Sequence, residues 1–228
     1  MKKFSNILIN EGLYDPGIFK VFFLAGGPGS GKTFVTAGAF AGTGLKLVNS
    51  DRFLEMGLRK ANLSLSMPDE EEYFRNIIRT QAKAKTEKQL DLYLKGRLGI
   101  VVDGTARNLE LIQSQYNQFK ALGYDCHMVF VNTSLEVALE RNAKRERTVP
   151  EYITKKSWET VQANIGKLQN IFGLSNFFVV DNNRSEQELV SQTLSRVGAI
   201  VRRLLNTPIR SYIAKRWMAK ERAAKRRW

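Results

Sequence analysis

The sequence is poor in the residue types that most often form disulfides and zinc sites. Its 228 residues include one cysteine, Cys126, and one histidine, His127. A single cysteine excludes a disulfide within the chain, and a single histidine excludes a histidine-rich zinc site. Uncharged apolar runs are also short, and none approaches the roughly 20 residues that a membrane span needs. We therefore expect a cytoplasmic protein of a reducing compartment, with His127 as a core residue.

The composition is otherwise that of an ordinary folded domain. Hydrophobic residues make up 43 % of the chain and charged residues 25 %, which excludes disorder over most of its length. The first ten residues contain two lysines, but Asn6 and Asn10 interrupt the apolar run, so we expect no secretory signal there.

The net charge of +14 is concentrated at the C terminus. Eleven basic residues and one acidic residue lie between Arg196 and Trp228, so this segment carries +10. A break at Asn206-Thr207-Pro208 precedes a helical pattern with Ile209, Ile213, Trp217, Ala224 and Trp228 on one face. The sequence predicts three parts: an N-terminal arm (1–18), a body (19–205) and a basic amphipathic C-terminal helix (206–228).

Five apolar runs alternate with longer helical patterns along the body. The predicted strands are Lys20–Ala25, Leu45–Val48, Gly99–Val102, His127–Val131 and Phe177–Val180. Alternation of this kind is typical of an α/β fold with a mostly parallel sheet that helices cover on both faces. One predicted helix, Ser134–Arg147, carries the basic residues Arg141, Lys144, Arg145 and Arg147.

A glycine-rich segment joins the first strand to the first helix. It reads Gly26, Gly27, Pro28, Gly29, Ser30, Gly31, Lys32 and Thr33, and it matches G-x-x-x-x-G-K-[ST]. The glycines allow successive backbone N–H groups to face a phosphate at the positive end of the following helix. In this motif the lysine reaches the β- and γ-phosphates of ATP, and the hydroxyl, here that of Thr33, binds Mg²⁺.

Two aspartates follow the second and third predicted strands. Asp51 and Asp103 are expected near the phosphate loop, because reactive groups of parallel sheets gather at the carboxyl ends of the strands. Phosphoryl transfer uses one carboxylate as a proton acceptor and another to orient Mg²⁺. The alternatives are an N-cap role for Asp51 and a turn role for Asp103 before Gly104.

The basic cluster of the Ser134–Arg147 segment is the third candidate feature. Arg141 and Arg145 are one helical turn apart, so a continuous helix would place them on one face. Guanidinium groups stabilise the charge of a phosphoryl group in transfer, and the alternative is a solvated basic face.

Together these segments resemble the zeta-toxin and bacteriophage polynucleotide-kinase group of P-loop kinases. The resemblance spans about Phe19 to Asp181 and rests on GGPGSGKT, on NSD ending at Asp51, on VVDGTAR ending at Arg107, and on ERNAKR ending at Arg145. It implies a kinase-like P-loop NTPase fold, a three-layer α/β sandwich, with ATP and Mg²⁺ as cofactors. It also implies transfer of the ATP γ-phosphate to a hydroxyl group.

The resemblance also implies roles for single residues. By it, Lys32 and Thr33 bind ATP and Mg²⁺, Asp51 is the general base, and Arg145 is a lid arginine. Asp103, Thr105 and Arg107 resemble the zeta-toxin stretch that holds a sugar-nucleotide acceptor, although zeta toxins have glutamate where Asp103 stands. ERNAKR followed by Val149-Pro150 is closer to polynucleotide kinase, whose arginine after the catalytic aspartate is replaced here by Phe53-Leu54-Glu55. The acceptor can therefore be a nucleotide, a nucleotide sugar or a polynucleotide 5′ end. Arg141 and Asp103 are among the residues expected to contact it. Asp103 is also expected to be a metal ligand.

Two other functions remain possible from the sequence. One is a nucleotide-binding assembly protein that attaches to nucleic acid or a protein through Ile209–Trp228, and the other is a mechanical ATPase on nucleic acid. The basic tail has two interpretations. It favours a nucleic-acid acceptor within the kinase class if it binds phosphates. Alternatively, it is a final helix that packs its apolar stripe on the body and keeps a solvated basic face.

Overall fold

The computed structural model describes residues 12–66, 68–145, 149–183 and 187–225 of the chain. They form one five-stranded sheet with the order β2-β3-β1-β4-β5, and every neighbouring pair is parallel. The strands are β1 (Lys20–Ala25), β2 (Lys46–Val48), β3 (Ile100–Asp103), β4 (Asp125–Asn132) and β5 (Phe177–Asp181). The predicted α/β fold is confirmed, and all five strands lie within three residues of their predicted bounds.

Eight α-helices connect and cover the strands in the described part of the chain. They are α1 (Lys32–Ala39), α2 (Ser50–Lys60), α3 (Glu72–Gly96), α4 (Leu109–Ala121), α5 (Leu135–Ala143), α6 (Glu151–Phe172), α7 (Gln187–Asn206) and α8 (Tyr212–Lys225). A short 3-10 turn, Asp69–Glu71, precedes α3. None of the helices in these ranges is both long and apolar enough to cross a membrane.

The central strands β1, β3 and β4 are buried on both faces, which explains why they are apolar almost without alternation, whereas the edge strands β2 and β5 are partly exposed. On one face, Phe23, Met128 and Phe130 pack against residues of α3, α4 and α6. On the other face, Phe22 and Val129 pack against α1 and α7. Helix–sheet–helix layering of this kind is the three-layer P-loop NTPase sandwich that the sequence predicts.

The helices α2 and α3 form a separate small core beside the sheet. Leu54 and Leu58 of α2 pack with Ala82 of α3. A side chain at Gly57 would lie 2.4 Å from Ile78 Cγ2, so glycine lets the two helices approach closely. Because α2 begins where β2 ends, this pair forms a wall beside the carboxyl edge of the sheet.

The C-terminal helix α8 lies across the opposite, amino edge of the sheet. The Trp217 ring packs against the Phe19 ring at the start of β1, with 5.5 Å between centroids, and the Arg97 guanidinium lies 5.8 Å from the Trp217 ring. The buried stripe is Ala214, Trp217 and Met218, whereas Ile213 and Ala224 are exposed. The predicted stripe is confirmed at Ile209 and Trp217, which pack against the core, and is wrong at Ile213 and Ala224, because the fit against Phe19 and Gly123 sets the rotation of the helix.

Several predicted features fall partly or wholly outside the described residues. These are residues 1–11 of the predicted arm, Arg147 of the basic cluster, and Trp228 of the tail. Asp15 and Gly17 of the arm are described, and the Asp15 carboxylate accepts hydrogen bonds from the backbone N–H groups of Gly17 and Gly99. His127 is buried as expected, and burial lowers its pKa to about 4, so the ring is neutral at pH 7.

Candidate nucleotide and phosphoryl-transfer site

The glycine-rich loop between β1 and α1 is shaped by contacts that only glycine permits. Gly29 and Gly31 have φ angles of 76° and 88°. A Cβ atom on Gly29 would lie 2.1 Å from the Ala138 carbonyl oxygen, and one on Gly31 would lie 2.2 Å from Asn182 Nδ2. The loop is therefore clamped between α5 and the end of β5, with its backbone held close to both.

Lys32 places a positive charge over this loop. Its Nζ atom donates hydrogen bonds to the carbonyl oxygens of Gly26, at 2.6 Å, and Gly27, at 3.1 Å. Lys32 is also the first residue of α1, whose N-cap Gly31 has no side chain to bind the first N–H groups of the helix. A helix N-terminus of this kind, with an ammonium beside it, is suited to phosphate.

Asn49 joins the two predicted aspartates. Its Nδ2 atom donates a 2.6 Å hydrogen bond to Asp103 Oδ2, and its Oδ1 atom accepts a 2.7 Å hydrogen bond from the Asp51 backbone N–H. Asn49 is thus the N-cap of α2, and Asp51 lies exposed in the first helical turn. The N-cap alternative for Asp51 is wrong, because Asn49 fills that position and leaves the Asp51 carboxylate outside the cap.

The electrostatics of Asp103 bring several predicted residues together. Burial raises the pKa of this carboxyl group above its usual value, and the nearby Asp51 charge raises it further. Lys32, the Asn49 hydrogen bond and Arg145 act in the opposite direction. Lys32, Asp51, Asp103 and Arg145 therefore share one electrostatic environment at the carboxyl edge of β1, β2 and β3.

Arg141 and Arg145 do not share a helix face. Helix α5 ends at Ala143, so Arg145 lies beyond its C-cap, whereas the sequence predicts a helix to Arg147. The helix ends early because the Asn142 side chain accepts from the Val149 N–H at 3.1 Å and donates to the Val149 carbonyl at 2.6 Å. These bonds hold Val149 against the end of α5, and Arg145 is exposed just beyond the C-cap of the helix.

Asn182 supports the phosphate loop, and the sequence analysis did not identify it. Its Nδ2 atom donates to the Ser30 carbonyl at 2.8 Å, and its own carbonyl accepts from Arg141 Nη1 at 2.8 Å. Arg141 is thereby oriented towards the loop from α5. The available signal was the polar run Asp181-Asn182-Asn183 directly after a buried strand, at the same edge as the loop.

The loop after β3 carries two further predicted residues on its surface. Thr105 and Arg107 are exposed and flank Ala106, which is buried and has a φ of 56°. Asn164 of α6 holds this unusual conformation by donating to the carbonyl oxygens of Ala106, at 3.2 Å, and Arg107, at 3.1 Å. Strained backbone of this kind is often found at ligand sites. Asn164 is a second supporting residue that the sequence analysis did not identify.

Helix α6 also borders the phosphate loop. Trp158 Nε1 donates a 2.8 Å hydrogen bond to the Thr133 carbonyl, and a Cβ atom on Gly27 would lie 3.6 Å from Trp158 Cα. One helix therefore contacts the phosphate loop through Trp158 and the Thr105–Arg107 loop through Asn164. This helix begins at Glu151, shortly after the basic cluster in the sequence.

The oxygen donors of this site are of the type that Mg²⁺ prefers. Asp103 offers a carboxylate at the end of β3, and Thr33 offers an exposed hydroxyl in the first turn of α1. Mg²⁺ is usually held by one or two carboxylates together with substrate phosphates and water. Within the described residues there is no cluster of three or more His, Cys, Asp or Glu side chains that would hold a metal ion alone.

Comparisons with solved structures agree with this fold. An AvrRxo1-ORF1:ORF2 complex matches with a TM-score of 0.57 at 14 % identity, covering 96 % of this chain and 84 % of the other. A structure of that pair with ATP matches with a TM-score of 0.53 at 16 % identity, covering 78 % and 62 %. At these identities the likeness establishes the fold alone.

Two further structures have similar scores. The PezAT toxin–antitoxin system of Streptococcus pneumoniae gives a TM-score of 0.54 at 14 % identity, covering 90 % of this chain and 97 % of the other. A putative kinase from Chloroflexus aurantiacus gives 0.53 at 15 % identity, covering 81 % and 96 %. No curated protein sequence matches the chain. The model of the AAA domain family matches residues 21–168, from β1 into α6 and across the phosphate loop, and the chain therefore belongs to that family.

Proposed function

We propose that the protein transfers the γ-phosphate of ATP to a hydroxyl group of a nucleotide, a nucleotide sugar or a polynucleotide 5′ end. The observation that carries this proposal is the Asn49 bridge, which holds the backbone of Asp51 and the carboxylate of Asp103 in one network. Both acids share an electrostatic environment with Lys32 of the phosphate loop. A kinase needs this combination of a phosphate cradle, a proton acceptor and a second carboxylate.

The phosphates of ATP would lie in the loop from Gly26 to Thr33. Lys32 Nζ would exchange its two loop carbonyl partners for phosphate oxygens, and backbone N–H groups at the start of α1 would bind the others. Thr33 and Asp103 would hold Mg²⁺, which when bound supplies neutralising charge to the phosphates. A cation beside Asp103 would lower its raised pKa, so bound Mg²⁺ would favour the ionised form of this carboxyl group.

Asp51 is the proposed general base. It lies exposed at the first turn of α2, so an acceptor hydroxyl can reach its carboxylate from solvent. The hydroxyl oxygen forms a bond to the γ-phosphorus, and its proton passes to Asp51. The bond between the γ-phosphorus and the β–γ bridging oxygen breaks, and ADP leaves. The protein contributes positioning and charge rather than a covalent intermediate.

The proposed contacts to the phosphoryl group and the acceptor come from α5, from the residues just after it, and from the loop after β3. Arg145, at the start of the 144–149 segment, would stabilise charge on the transferred phosphoryl group. Arg141, oriented by the Asn182 carbonyl, would contact the bound substrates, and Thr105 and Arg107 would face the acceptor from the loop after β3. These assignments follow the zeta-toxin and polynucleotide-kinase group, to which we propose the chain is related.

The position of α8 bears on the choice of acceptor. Helix α8 lies at the amino edge of the sheet, while Asp51 and Asp103 follow strands at the carboxyl edge. A six-residue strand separates the two edges by about 20 Å. The basic tail therefore gives no direct support for a polynucleotide acceptor, and the three acceptor classes remain equal candidates.

The test is a transfer assay with γ-labelled ATP and Mg²⁺. A 5′-hydroxyl oligonucleotide, nucleotide sugars, nucleosides and nucleoside monophosphates are offered in parallel. Label in one pool identifies the acceptor class, and Lys32→Ala abolishes it. Asp51→Asn is expected to keep ATP binding and to lose transfer by about 100-fold or more, because the proton has no acceptor.

Asp91→Asn is the matched control, since Asp91 is an exposed aspartate on α3 outside the site and its variant is expected to transfer label normally. Transfer by Asp51→Asn within a few-fold of the parent would remove Asp51 as the base. ATP binding without transfer to any pool would instead support the second candidate, a nucleotide-binding assembly protein that attaches through its C-terminal helix. That candidate is favoured by the basic residues that α8 presents outward.

A further inference from the structure

A dense group of cations covers the end of α7 and the outer side of α8. We call it the back surface, and its members are Arg202, Arg203, Arg210, Lys215, Arg216, Lys220 and Arg222, all exposed. In the part of the chain that the structure describes, none of the seven is ion-paired. The single acidic residue after Arg196 is Glu221. Within the described ranges, the back surface therefore presents a positive charge that no acidic side chain neutralises through an ion pair.

The back surface is remote from the kinase site. Its helix contacts residues that precede β1 and β4: Trp217 packs on Phe19, and a Cβ atom on Gly123 would lie 2.9 Å from the Ala214 backbone nitrogen. The phosphate loop lies beyond the opposite end of β1, about 20 Å away. A ligand on the back surface is thus not the one held by Lys32, and the surface needs an explanation of its own.

The apolar side of α8 is already occupied by packing. Ala214 is fully buried, and Trp217 and Met218 pack against the core beneath the sheet edge. Among the described large apolar side chains of this helix, Tyr212 and Ile213 are the exposed ones, and they lie together in the first turn. A helix that binds a bilayer needs a long apolar face to insert, and a protein interface usually has an apolar centre. Neither feature is found on α8 as far as Lys225, where the description of this helix ends.

A cavity extends the positive surface into the body. It has a volume of about 300 Å³, and its lining includes Arg210, Lys120 of α4 and the first strand residue, Lys20. Lys20 is ion-paired to Asp125, whereas Lys120 and Arg210 are exposed at the rim. The cations therefore belong to three separate elements that the fold brings to one edge, rather than to a single charged helix.

We infer that the back surface binds the phosphate backbone of a nucleic acid. The four-residue step from Arg216 to Lys220 places their Cα atoms about 6 Å apart along α8, so the cations form a row that can follow a strand of phosphates. When guanidinium and ammonium groups of such a row contact phosphates, they displace the counterions condensed on the nucleic acid. This release gives affinity without sequence preference. The exposed ring of Tyr212 lies at the start of this row and can stack on an unpaired base.

The test measures binding of labelled 20-nucleotide single strands and duplexes by fluorescence anisotropy, without ATP, across a salt series. The variant is Arg216→Glu/Lys220→Glu, and the matched control is Lys83→Glu/Lys88→Glu, which makes the same charge change at exposed lysines of α3. We expect the α8 variant to lose affinity at least about 10-fold and the log–log salt slope to shrink by about 1.5 to 2. The control is expected to lose less than about 3-fold.

Equal losses in the two variants would overturn the inference, since total charge rather than this surface would then govern binding. Binding to vesicles with anionic phosphatidylserine, or to an acidic polypeptide, without oligonucleotide binding would overturn it as well. Lys32→Ala is expected to bind oligonucleotides normally, and the α8 variant to keep its kinase activity on a small acceptor. Failure of this inference is therefore distinguishable from failure of the proposed kinase function.

Discussion

Asn49 has both a structural and an electrostatic role at the candidate site. It caps α2 through its Oδ1 atom and donates a hydrogen bond to the Asp103 carboxylate through its Nδ2 atom. The cap stabilises a helix, while the second bond lowers the pKa of Asp103. Since the two effects arise from opposite ends of one amide group, they can be separated by comparing Asn49 with another capping asparagine.

Asn108 provides that comparison, because it caps α4 by accepting a 2.9 Å hydrogen bond from the Leu111 N–H. We expect Asn49→Ala and Asn108→Ala each to lower the free energy of unfolding by about 1 kcal/mol. Only Asn49→Ala should also move the acidic limb of the activity–pH profile to higher pH, because Asp103 loses a bond that favours its ionised form. Urea unfolding and the pH dependence of kcat/KM measure the two effects, and identical pH profiles would contradict the bridge.

Asp103 itself should make the fold pH-dependent. Its carboxyl pKa is raised above 3.8 in the folded protein, so the folded state holds its proton to higher pH than the unfolded state does. Stability from this group therefore falls as pH rises from the unfolded pKa to the folded pKa. Asp103→Asn removes this loss of stability at higher pH, and its amide oxygen can still accept the hydrogen bond from Asn49 Nδ2.

We expect Asp103→Asn to gain stability over the parent as pH increases above about 4, with the difference vanishing at lower pH where the carboxyl is protonated in both states. The same variant should lose phosphoryl transfer. Unfolding midpoints between pH 3 and pH 8 provide the measurement. A variant less stable than the parent at neutral pH would show that the charge of Asp103 supports the fold.

At the scale of elements, helix α8 packs on the body rather than standing apart from it. Trp217 is half-buried against Phe19 and Arg97, while Tyr212, one turn before it, is 75 % exposed. We expect Trp217→Ala to lower the free energy of unfolding by about 3 kcal/mol and Tyr212→Ala by less than about 0.5 kcal/mol. Chemical denaturation measures both. Equal small losses would mean that α8 is a separate appendage, as its composition predicts.

The sequence predicts the elements of this protein better than it predicts how they contact one another. The central strands can be predicted because both of their faces are covered, which leaves a continuous apolar run such as residues 21–25 of β1, and the partly exposed edge strands β2 and β5 also keep short apolar runs. The end of α5 differs from the predicted one because it depends on hydrogen bonds between Asn142 and Val149, seven residues apart. The supporting roles of Asn164 and Asn182 depend on hydrogen bonds that span 58 and 152 residues, and no local pattern records such bonds.

At the scale of the whole molecule, the sheet separates two charged regions. The carboxyl edge combines Lys32 with two carboxylates, whereas the amino edge carries the exposed cations of the back surface. The connection between α7 and α8 is fixed to the amino edge by Lys20, whose Nζ donates to Asp125 Oδ2 at 2.7 Å and to the Thr207 carbonyl at 2.8 Å. This contact is one polar link between the body and the back surface, beside the packing of Trp217 on Phe19.

A double-mutant cycle on Lys20 and Asp125 tests that link. The Lys20 side chain is 3 % exposed, so Asp125→Leu leaves a buried ammonium without its carboxylate and is expected to lower the free energy of unfolding by about 3 kcal/mol or more. Lys20→Met/Asp125→Leu removes both charges and should recover most of that loss. Kinase activity of the double variant is expected to match the parent, because the pair lies a full strand length from Asp51. Oligonucleotide affinity should fall modestly, since α7 and α8 lose a bond that positions their cations, and unchanged affinity would mean that Lys20 is not needed to hold the back surface in place.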